Sequence, residues 1–415
     1  MKKIMIVCAL MAAACAQAKN TTVEAKESLV INDKNYFAMQ GLNVTVFSDI
    51  YPDGHQTGVT IIQHGSRVAA NGDLRLEVSP GQWSPVPTGG AQVVDKEQRR
   101  ITQTMSYPDP TKDKKGFNPI NYPDLKFSYN VSVTALQGNQ FKISVDLDKP
   151  LPAEWIGKIG FNLELFPGEL FGKAFLMDQQ SGIFARQANG PIEKIDGEFI
   201  AVPLAVGNKL VVAPDEDKRR IVIENITKDS GAGKLELWDG RANHNNGWYI
   251  VRTSIPANAT KNAIEWIVTP NVVKGWQYEP VLQVSQIGYS TKQPKKLVIE
   301  QDATDVKVDE VNIFQLTESG KQLVRKAKPQ TWGNFLRYNY LIFDFSDIQT
   351  PGSYVISYRD KSTSSFKIND DVFDRHEFHW SSPVFLSLWL LVNVGQDYRC
   401  ISVTSVFLTL PYARR

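Results

Sequence analysis

The chain has 415 residues, of which 42% are hydrophobic and 10% aromatic, and it contains 28 glycines and 22 prolines. This composition is typical of a folded protein and excludes a disordered, collagen-like or coiled-coil chain. The 46 basic residues against 44 acidic ones leave a net charge of +2, so the sequence lacks the basic field that drives binding to nucleic acids or anionic membranes. The length leaves room for roughly two or three domains.

The N-terminus has the three parts of a secretory signal peptide, which we predict over residues 1–18. Two lysines precede the apolar run Ile4–Ala16, and the Ala-Gln-Ala triplet ending at Ala18 has the small-residue pattern of a cleavage site. The apolar run is shorter than the roughly 20 residues needed to span a bilayer. We therefore expect an exported protein that is periplasmic, extracellular or tethered to the outer membrane of a bacterium. Tethering would require a lipid on Cys15, an alternative that the sequence leaves open.

The cysteines and histidines argue against disulfides and metal centres. Cys8 and Cys15 lie in the predicted signal peptide, which leaves Cys400 alone and excludes a disulfide framework. The five histidines are scattered and show no zinc spacing. The nearest group to a metal-binding constellation is interpreted as a polar loop between strands, and its members are Asp49, Asp53, His55 and His64. No metal and no cofactor is predicted.

Residues 25–275 show the pattern of a large antiparallel β-sandwich. Between Ile159 and Phe166 the sequence IGFNLELF places Ile159, Phe161, Leu163 and Leu165 on one side, which is the period of two that a half-buried strand needs. Short runs of this kind recur along the segment between Gly, Pro, Asn and Asp, and none of them sustains a helical period.

A second set of alternating runs predicts an immunoglobulin-like β-sandwich over residues 280–370. Roughly six or seven runs with frequent turns match the strand count of that fold. The stretch KGWQYEP at 274–280 separates the two predicted domains. No cysteine lies between 281 and 368, so the domain lacks an inter-sheet disulfide. The fold class predicted for the chain is all-β, a large antiparallel β-sandwich followed by an immunoglobulin-like one.

The last segment, residues 375–415, differs in composition and hydrophobic pattern from the rest of the chain. It contains no lysine from His376 onward, and its apolar stretch Val384–Val394 shows neither a period of two nor one of 3.6. Three interpretations remain open: a peripheral strand pair, a membrane anchor, or translated out-of-frame sequence. We favour the last and regard this tail as atypical and frameshifted.

Carboxylates of the first predicted domain are interpreted as surface groups and not as a catalytic pair. Glu164 alternates with apolar residues and therefore points away from the apolar face, and the acidic cluster at 215–217 precedes a basic run typical of a solvated surface. Glu169 and Asp178 lie in the same part of the sequence without a partner motif.

Five short motifs in the second predicted domain resemble a known family. They are Gln286-Ile287-Gly288-Tyr289, Lys295-Lys296, Asp344-Phe345-Ser346, Pro351-Gly352-Ser353-Tyr354 and Ser364-Ser365-Phe366. In order and spacing they look like the N-terminal immunoglobulin-like domain of glycoside hydrolase family 9 cellulases, over about Pro280 to Ile368. Ser285 departs from the pattern, since the family usually has Asn there. Gly288 is suited to a positive φ where the chain turns out of a strand.

The resemblance implies a domain that precedes and packs against an α-helical barrel cleaving β-1,4-glucans with inversion. That chemistry needs a carboxylate base and a carboxylic acid about 6.5 to 9.5 Å apart. The family's Asp-Ala-Gly-Asp motif is absent from this sequence, so no catalytic residue is carried over. We predict the N-terminal accessory part of a secreted family 9 glycoside hydrolase that is inactive alone because the catalytic barrel is absent. By resemblance, its partner is β-glucan or a related plant polysaccharide.

An alternative function is a self-standing exported carbohydrate-binding protein. Exposed aromatic rings stack on sugar faces, and Trp83, Trp248 and Tyr249 are placed near loops by the sequence. The competing interpretation is that these three rings cap the sandwich core. An enzyme with its site in the first domain is a third possibility.

Overall fold

The computed structural model describes residues 28–48, 57–76, 87–107, 126–187, 190–228, 233–242, 247–335 and 338–374. The predicted signal peptide at 1–18, with Cys15, lies outside these ranges, as do the tail at 375–415 and Cys400. Trp83, Asp49, Asp53 and His55 also lie outside them. Within the described ranges, no helix has the length and apolar character needed to cross a membrane.

The contacts divide the chain into two units, with the boundary between Gln277 and Tyr278. The strands of the first unit are β1 (Val30–Ile31), β2 (Phe37–Met39), β3 (Leu42–Phe47), β4 (Gly58–Gln63), β5 (Ser66–Leu76), β6 (Thr88–Asp95), β7 (Arg100–Ser106), β8 (Ser128–Ala135), β9 (Phe141–Leu147), β10 (Ile159–Leu165), β11 (Ala174–Met177), β12 (Gln180–Ile183), β13 (Ile192–Ile195), β14 (Glu198–Ala201), β15 (Ala205–Gly207), β16 (Lys209–Val212), β17 (Ile221–Asn225), β18 (Leu235–Asp239), β19 (Tyr249–Ser254) and β20 (Ile264–Pro270). Two 3-10 turns, Ala153–Trp155 and Pro167–Glu169, flank β10.

Most strands of the first unit belong to two nine-stranded sheets. One has the order β1-β2-β3-β4-β5-β10-β19-β18-β15 and the other β12-β11-β16-β17-β20-β9-β8-β7-β6, while β13 and β14 pair only with each other among the described strands. Neighbouring strands run antiparallel, for example β5 with β10 and β9 with β20. This confirms the predicted all-β fold class.

The core of the first unit is built by the alternation seen in the sequence. Ile159, Phe161, Leu163 and Leu165 of β10 are all buried in one apolar cluster, as their spacing predicts. Trp266 of β20 is fully buried in the same cluster. Its ring packs edge-to-face on Phe161 with centroids 4.9 Å apart, so the core joins the two large sheets.

The second unit is a smaller pair of sheets with a core of its own. Its strands are β21 (Val281–Gln283), β22 (Lys296–Asp302), β23 (Val311–Thr317), β24 (Gly320–Ala327), β25 (Gln330–Phe335), β26 (Tyr338–Asp344), β27 (Gly352–Tyr358), β28 (Lys361–Ser362) and β29 (Phe366–Ile368). A four-stranded sheet has the order β21-β22-β26-β25, and a five-stranded sheet joins β24, β23, β27, β28 and β29. Tyr289 and Tyr354, both members of the family motifs, are buried in this core.

Gly288 follows β21 in a conformation that other residues rarely adopt. Its φ is +107°, which confirms the positive φ expected from the sequence. A Cβ at this position would collide with the carbonyl oxygen of Lys367. That close approach lets the N–H of Tyr289 donate to the same carbonyl at 2.9 Å, which ties the segment after β21 to β29.

His64 fastens the β4–β5 hairpin to the C-terminal end of the first unit. His64 and Gly65 both have positive φ, the geometry of a tight two-residue hairpin turn. The N–H of Val273 donates to Nε2 at 3.0 Å, so Nδ1 carries the proton and donates to the carbonyl of Lys218 at 3.0 Å. The ring lies 5.4 Å from that of Trp276, edge-on. The arrangement requires a neutral imidazole.

Acidification is expected to destabilise the first unit through His64. Burial lowers the pKa of His64 below 6.5, with the charges of Arg219 and Lys218 acting in the same direction, so below pH 6.5 the unfolded chain takes up a proton that the folded one does not. The free energy of unfolding therefore falls with falling pH, by up to about 1.4 kcal/mol per pH unit, until the folded imidazole also titrates.

Urea unfolding of the full chain between pH 7.5 and 5.5, compared with a His64→Asn variant, isolates this contribution. Asn is a suitable replacement because it tolerates a positive φ. Burial also raises the pKa of Asp73 to about 6, so its contribution to the free energy of unfolding falls as pH rises from 3.8 toward 6. This slope is opposite to that of His64. It is the same in both proteins and therefore cancels in the comparison. Equal pH slopes in the two proteins would contradict the role given to His64.

Candidate functional site

The four-stranded sheet of the second unit presents a row of aromatic side chains that we call the aromatic face. Its members are Tyr278, Trp332, Phe335, Tyr338 and Tyr340. Direct strand pairing places Phe335 opposite Tyr338, and the register shift between Thr331 and Gly333 makes Trp332 an extra residue in β25. Trp332 is 56% exposed and Phe335 40% exposed. These are large apolar groups for a solvent-facing sheet.

Polar contacts and tilted rings fix the geometry of the aromatic face. The ring of Tyr340 lies 5.9 Å from Trp332 and 6.5 Å from Tyr338, in both cases nearly perpendicular. Tyr278 lies 4.9 Å from Tyr338 at an interplanar angle of 48°. The Tyr340 hydroxyl donates to Glu300 Oε2 at 2.6 Å. Because successive rings are tilted, they form no flat platform for the face of a sugar ring, and the surface is better suited to packing against another protein.

Of the three aromatic residues proposed from the sequence for carbohydrate contact, the structure describes Trp248 and Tyr249, and these two do not form one site. Trp248 is half-buried and packs on Phe166 with centroids 4.5 Å apart. Tyr249 is fully buried, so this prediction is corrected: its ring belongs to the core and has no free face. Trp248 immediately precedes β19 and packs on Phe166, whereas the ring of Tyr249 lies in the core, which separates the two rings. Trp83 lies outside the described residues.

Tyr249 has a structural role at the end of β19. Its hydroxyl donates to the carbonyl of Ala185 at 2.6 Å and accepts a hydrogen bond from Arg241 at 2.9 Å. Burial raises the pKa of Tyr249 to about 12. The Arg241 guanidinium also pairs with Asp239 and lies over the Tyr249 ring, so the group holds the segment at Ala185 against β18 and β19.

Glu169 and Asp178, two of the carboxylates considered in the sequence, have internal partners. Glu169 pairs with Arg219, and Asp178 accepts the backbone N–H groups of Asn208 and Lys209. Among the described residues, no group of three or more His, Cys, Asp or Glu side chains is arranged to hold a metal ion. His64, from the predicted metal constellation, is engaged by backbone groups as described above.

Glu164 and Asp73 form a buried polar region that the sequence did not reveal. Glu164 points away from the apolar face, as predicted, but it is buried and accepts a hydrogen bond from Asn71 at 2.6 Å. Asp73 is fully buried, accepts from the Thr57 hydroxyl and pairs with Arg75 at 2.7 Å. Alternation with a period of two shows to which side of the sheet a side chain points. It carries no information on whether the side opposite the apolar core is covered by other parts of the chain.

The second unit is an immunoglobulin-like β-sandwich, and comparison with known proteins makes the assignment more specific. Residues 277–363 match the family model described as "Cellulase N-terminal ig-like domain". This confirms the resemblance seen in the motifs, over the same part of the chain. A comparison with curated proteins finds no match.

Similar solved structures carry family 9 names. A protein named "Bacteroides ovatus GH9" is 29% identical over 23% of this chain and 16% of its own, with a TM-score of 0.20. A metagenome-derived glycoside hydrolase family 9 endoglucanase is 19% identical over 22% of this chain and 18% of its own, with a TM-score of 0.19. AaCel9A in complex with cellobiose-like isofagomine is 18% identical over 23% of this chain and 16% of its own, with a TM-score of 0.18. This chain therefore spans less than a fifth of each of these proteins.

Proposed function

We propose that the second unit serves as the immunoglobulin-like accessory domain of a family 9 glycoside hydrolase and docks a catalytic domain through the aromatic face. The observation that carries this proposal is the match of residues 277–363 to the cellulase N-terminal immunoglobulin-like domain. The substrate proposed for the complete enzyme is a β-glucan or a related plant polysaccharide. The cellulase description of the matching family model supports that choice.

The exposure of the aromatic face supports its role as a docking surface. Trp and Tyr are enriched at protein interfaces, where a few such residues supply most of the binding energy. Trp332 is the most exposed ring of the face, and Glu300 holds Tyr340 beside it. A partner that covers Trp332 and Phe335 would bury apolar area that water otherwise contacts.

We further propose that the chain does not hydrolyse glucans by itself. Inverting hydrolysis needs two carboxyl groups on opposite sides of a bound sugar, with room for a water between them. Glu164, Glu169 and Asp178 instead accept hydrogen bonds or ion pairs from neighbouring groups of the fold. The purified full chain is expected to release no reducing ends from soluble β-glucan above a heat-denatured control. Sustained release would contradict this part of the proposal.

Docking is tested by adding the full chain to a family 9 catalytic domain from which its own immunoglobulin-like domain has been removed. We expect binding by calorimetry and an increase in the melting temperature of the catalytic domain. Trp332→Ala is expected to weaken binding on the order of tenfold or more, because it removes the most exposed ring of the face. Leu323→Ala is the matched control, since Leu323 is 50% exposed on β24 of the other sheet. No binding, or an equal loss in both variants, would contradict the aromatic face as the docking surface.

We also propose that the protein is exported and loses residues 1–18. The charged start, the apolar run and the Ala-Gln-Ala triplet support this. Intact mass of the protein isolated from cells should place the new N-terminus at Lys19. An acylated Cys15 would support membrane tethering instead, and retention of Met1 would contradict export by this route.

A further inference from the structure

Three side chains from neighbouring strands pack together at one end of the first nine-stranded sheet, and we call them the stacked cluster. Arg67 lies in β5, Phe166 directly follows β10 and Trp248 directly precedes β19, and these three strands are neighbours in the sheet. The rings of Trp248 and Phe166 have centroids 4.5 Å apart at an interplanar angle of 57°. The Arg67 guanidinium carbon lies 4.8 Å from the centroid of the Phe166 ring. With separations this short, a ligand of one or two rings can contact all three side chains.

The stacked cluster is reachable from solvent. Arg67 is exposed, and Phe166 and Trp248 are each half-buried, so part of each ring contacts water. None of the three belongs to the apolar core of the first unit. A ring outside the core keeps apolar area in contact with water, and covering that area contributes favourably to binding.

An ion pair beside Phe166 adds a hydrogen-bond acceptor at the edge of the stacked cluster. Arg219 Nε donates to Glu169 Oε2 at 2.7 Å, and Arg219 Nη2 donates to the Ser66 hydroxyl at 3.4 Å. The Glu169 side chain is 43% exposed, whereas that of Arg219 is 16% exposed. Phe166, Glu169 and Arg219 line one small cleft, whose other lining residues are apolar. The ion pair therefore fixes an accessible carboxylate next to the rings.

The stacked cluster and Glu169 together define the chemistry of a matching ligand. The rings of Phe166 and Trp248 offer apolar surface, the Arg67 guanidinium offers only donors, and the Glu169 carboxylate offers only acceptors. A hydroxyl group can accept from the guanidinium and donate to the carboxylate. The Glu169 carboxylate would repel an anionic ligand, and the Arg67 guanidinium would repel a cationic one. A neutral saccharide meets all these requirements, because its rings carry hydroxyl groups around apolar C–H faces.

We propose that the stacked cluster binds a neutral saccharide, with Trp248 contacting an apolar face of a sugar ring and with Arg67 and Glu169 hydrogen-bonding its hydroxyl groups. Phe166 contacts both Arg67 and Trp248 and keeps them together. The site lies wholly within the first unit, so it goes beyond the docking function proposed for the second. It would operate whether or not a catalytic domain is bound.

Affinity electrophoresis of the full chain tests for the saccharide. The native gels contain soluble β-glucan, xylan or galactomannan, with polygalacturonate as the charged comparison. We expect at least one neutral polysaccharide to retard the chain and polygalacturonate to leave its mobility unchanged. The proposal is overturned if none of the three neutral polysaccharides retards the chain, or if polygalacturonate alone does so.

Arg67→Met tests the polar part of the site, because methionine can still pack on Phe166 but has no donor. Binding is expected to weaken roughly threefold to tenfold. Arg186→Met is the matched control, since Arg186 is also exposed and its guanidinium carbon lies 5.5 Å from the centroid of a different ring, that of Phe171. The control should bind as the unmodified chain does. Equal affinities of the two variants would overturn the proposal.

Trp248→Ala tests the apolar part of the site and is expected to weaken binding at least about tenfold. Trp332→Ala, on the aromatic face of the second unit, should bind the polysaccharide as the unmodified chain does. Equal binding by these two variants would contradict the proposal. A melting temperature for each variant separates lost contact from lost folding, and if Trp248→Ala fails to fold, Arg67→Met decides. Loss of saccharide binding would leave the docking assay unaffected, so the two proposals fail independently.

Discussion

Replacing Lys295 by methionine is expected to lower the free energy of unfolding of the second unit by about 3 kcal/mol or more. Lys295 is fully buried, and its Nζ donates to the carbonyls of Thr291 at 2.7 Å, Gln293 at 2.9 Å and Ser346 at 3.4 Å. Methionine fills a similar volume without a donor, so these carbonyls would lose their shared partner. Each buried polar group left unpaired costs about 1–3 kcal/mol.

Hydrogen exchange of the full chain, read by mass spectrometry, locates this effect. Peptides from β22 and β26 should lose protection in Lys295→Met, while peptides from β10 and β20 of the first unit keep theirs. Lys296→Met is the matched control, because Lys296 is the next residue and its side chain is exposed. Surface substitutions of this kind usually change stability by less than about 0.5 kcal/mol. Similar protection in the two variants would show that the Lys295 ammonium does not hold the segments at Thr291, Gln293 and Ser346 together.

Replacing Trp266 by alanine is expected to destabilise the first unit by about 3–5 kcal/mol. The ring is fully buried between the two nine-stranded sheets and packs on Phe161, so its removal leaves a large cavity. Urea unfolding of the full chain followed by circular dichroism measures the loss.

Trp266→Phe is the control that separates ring packing from the indole nitrogen. Trp266 Nε1 is buried without a hydrogen-bond partner among the described residues. Phenylalanine keeps the aromatic contact with Phe161 and removes this unpaired N–H, so it should cost clearly less than alanine. If Trp266→Phe lowered the free energy of unfolding as much as Trp266→Ala does, Trp266 Nε1 would have a hydrogen-bond partner that stabilises the fold.

The alternating pattern predicted the strands well because it reflects a local physical requirement. Ile159, Phe161, Leu163 and Leu165 needed only the pleat of a strand to reach the core, and the structure places them there. The same rule could have corrected one prediction in advance. Trp248 and Tyr249 are neighbours in sequence, so an extended chain turns only one of the two rings inward, and it turns Tyr249, the first residue of β19.

The candidate sites were less predictable because they depend on contacts between distant residues. Trp332 is exposed at a register shift in β25, which no short pattern marks. Arg67, Phe166 and Trp248 lie far apart in sequence and meet only because β5, β10 and β19 are neighbours in the sheet. The family motifs, in contrast, lie close together along the chain, and the sequence alone pointed to the domain that they define.

The strand order of the first unit also determines how quickly it can fold. In its second sheet, β9 pairs with β20, which joins Val145 to Ile264, and β17 then completes the centre of the sheet. The long loop between β9 and β20 must close before their pairing stabilises the chain. In the second unit, β25 and β26 are successive strands, so only a short loop has to close. The second unit should therefore reach its native state first, and slow steps in refolding should belong to the large sandwich.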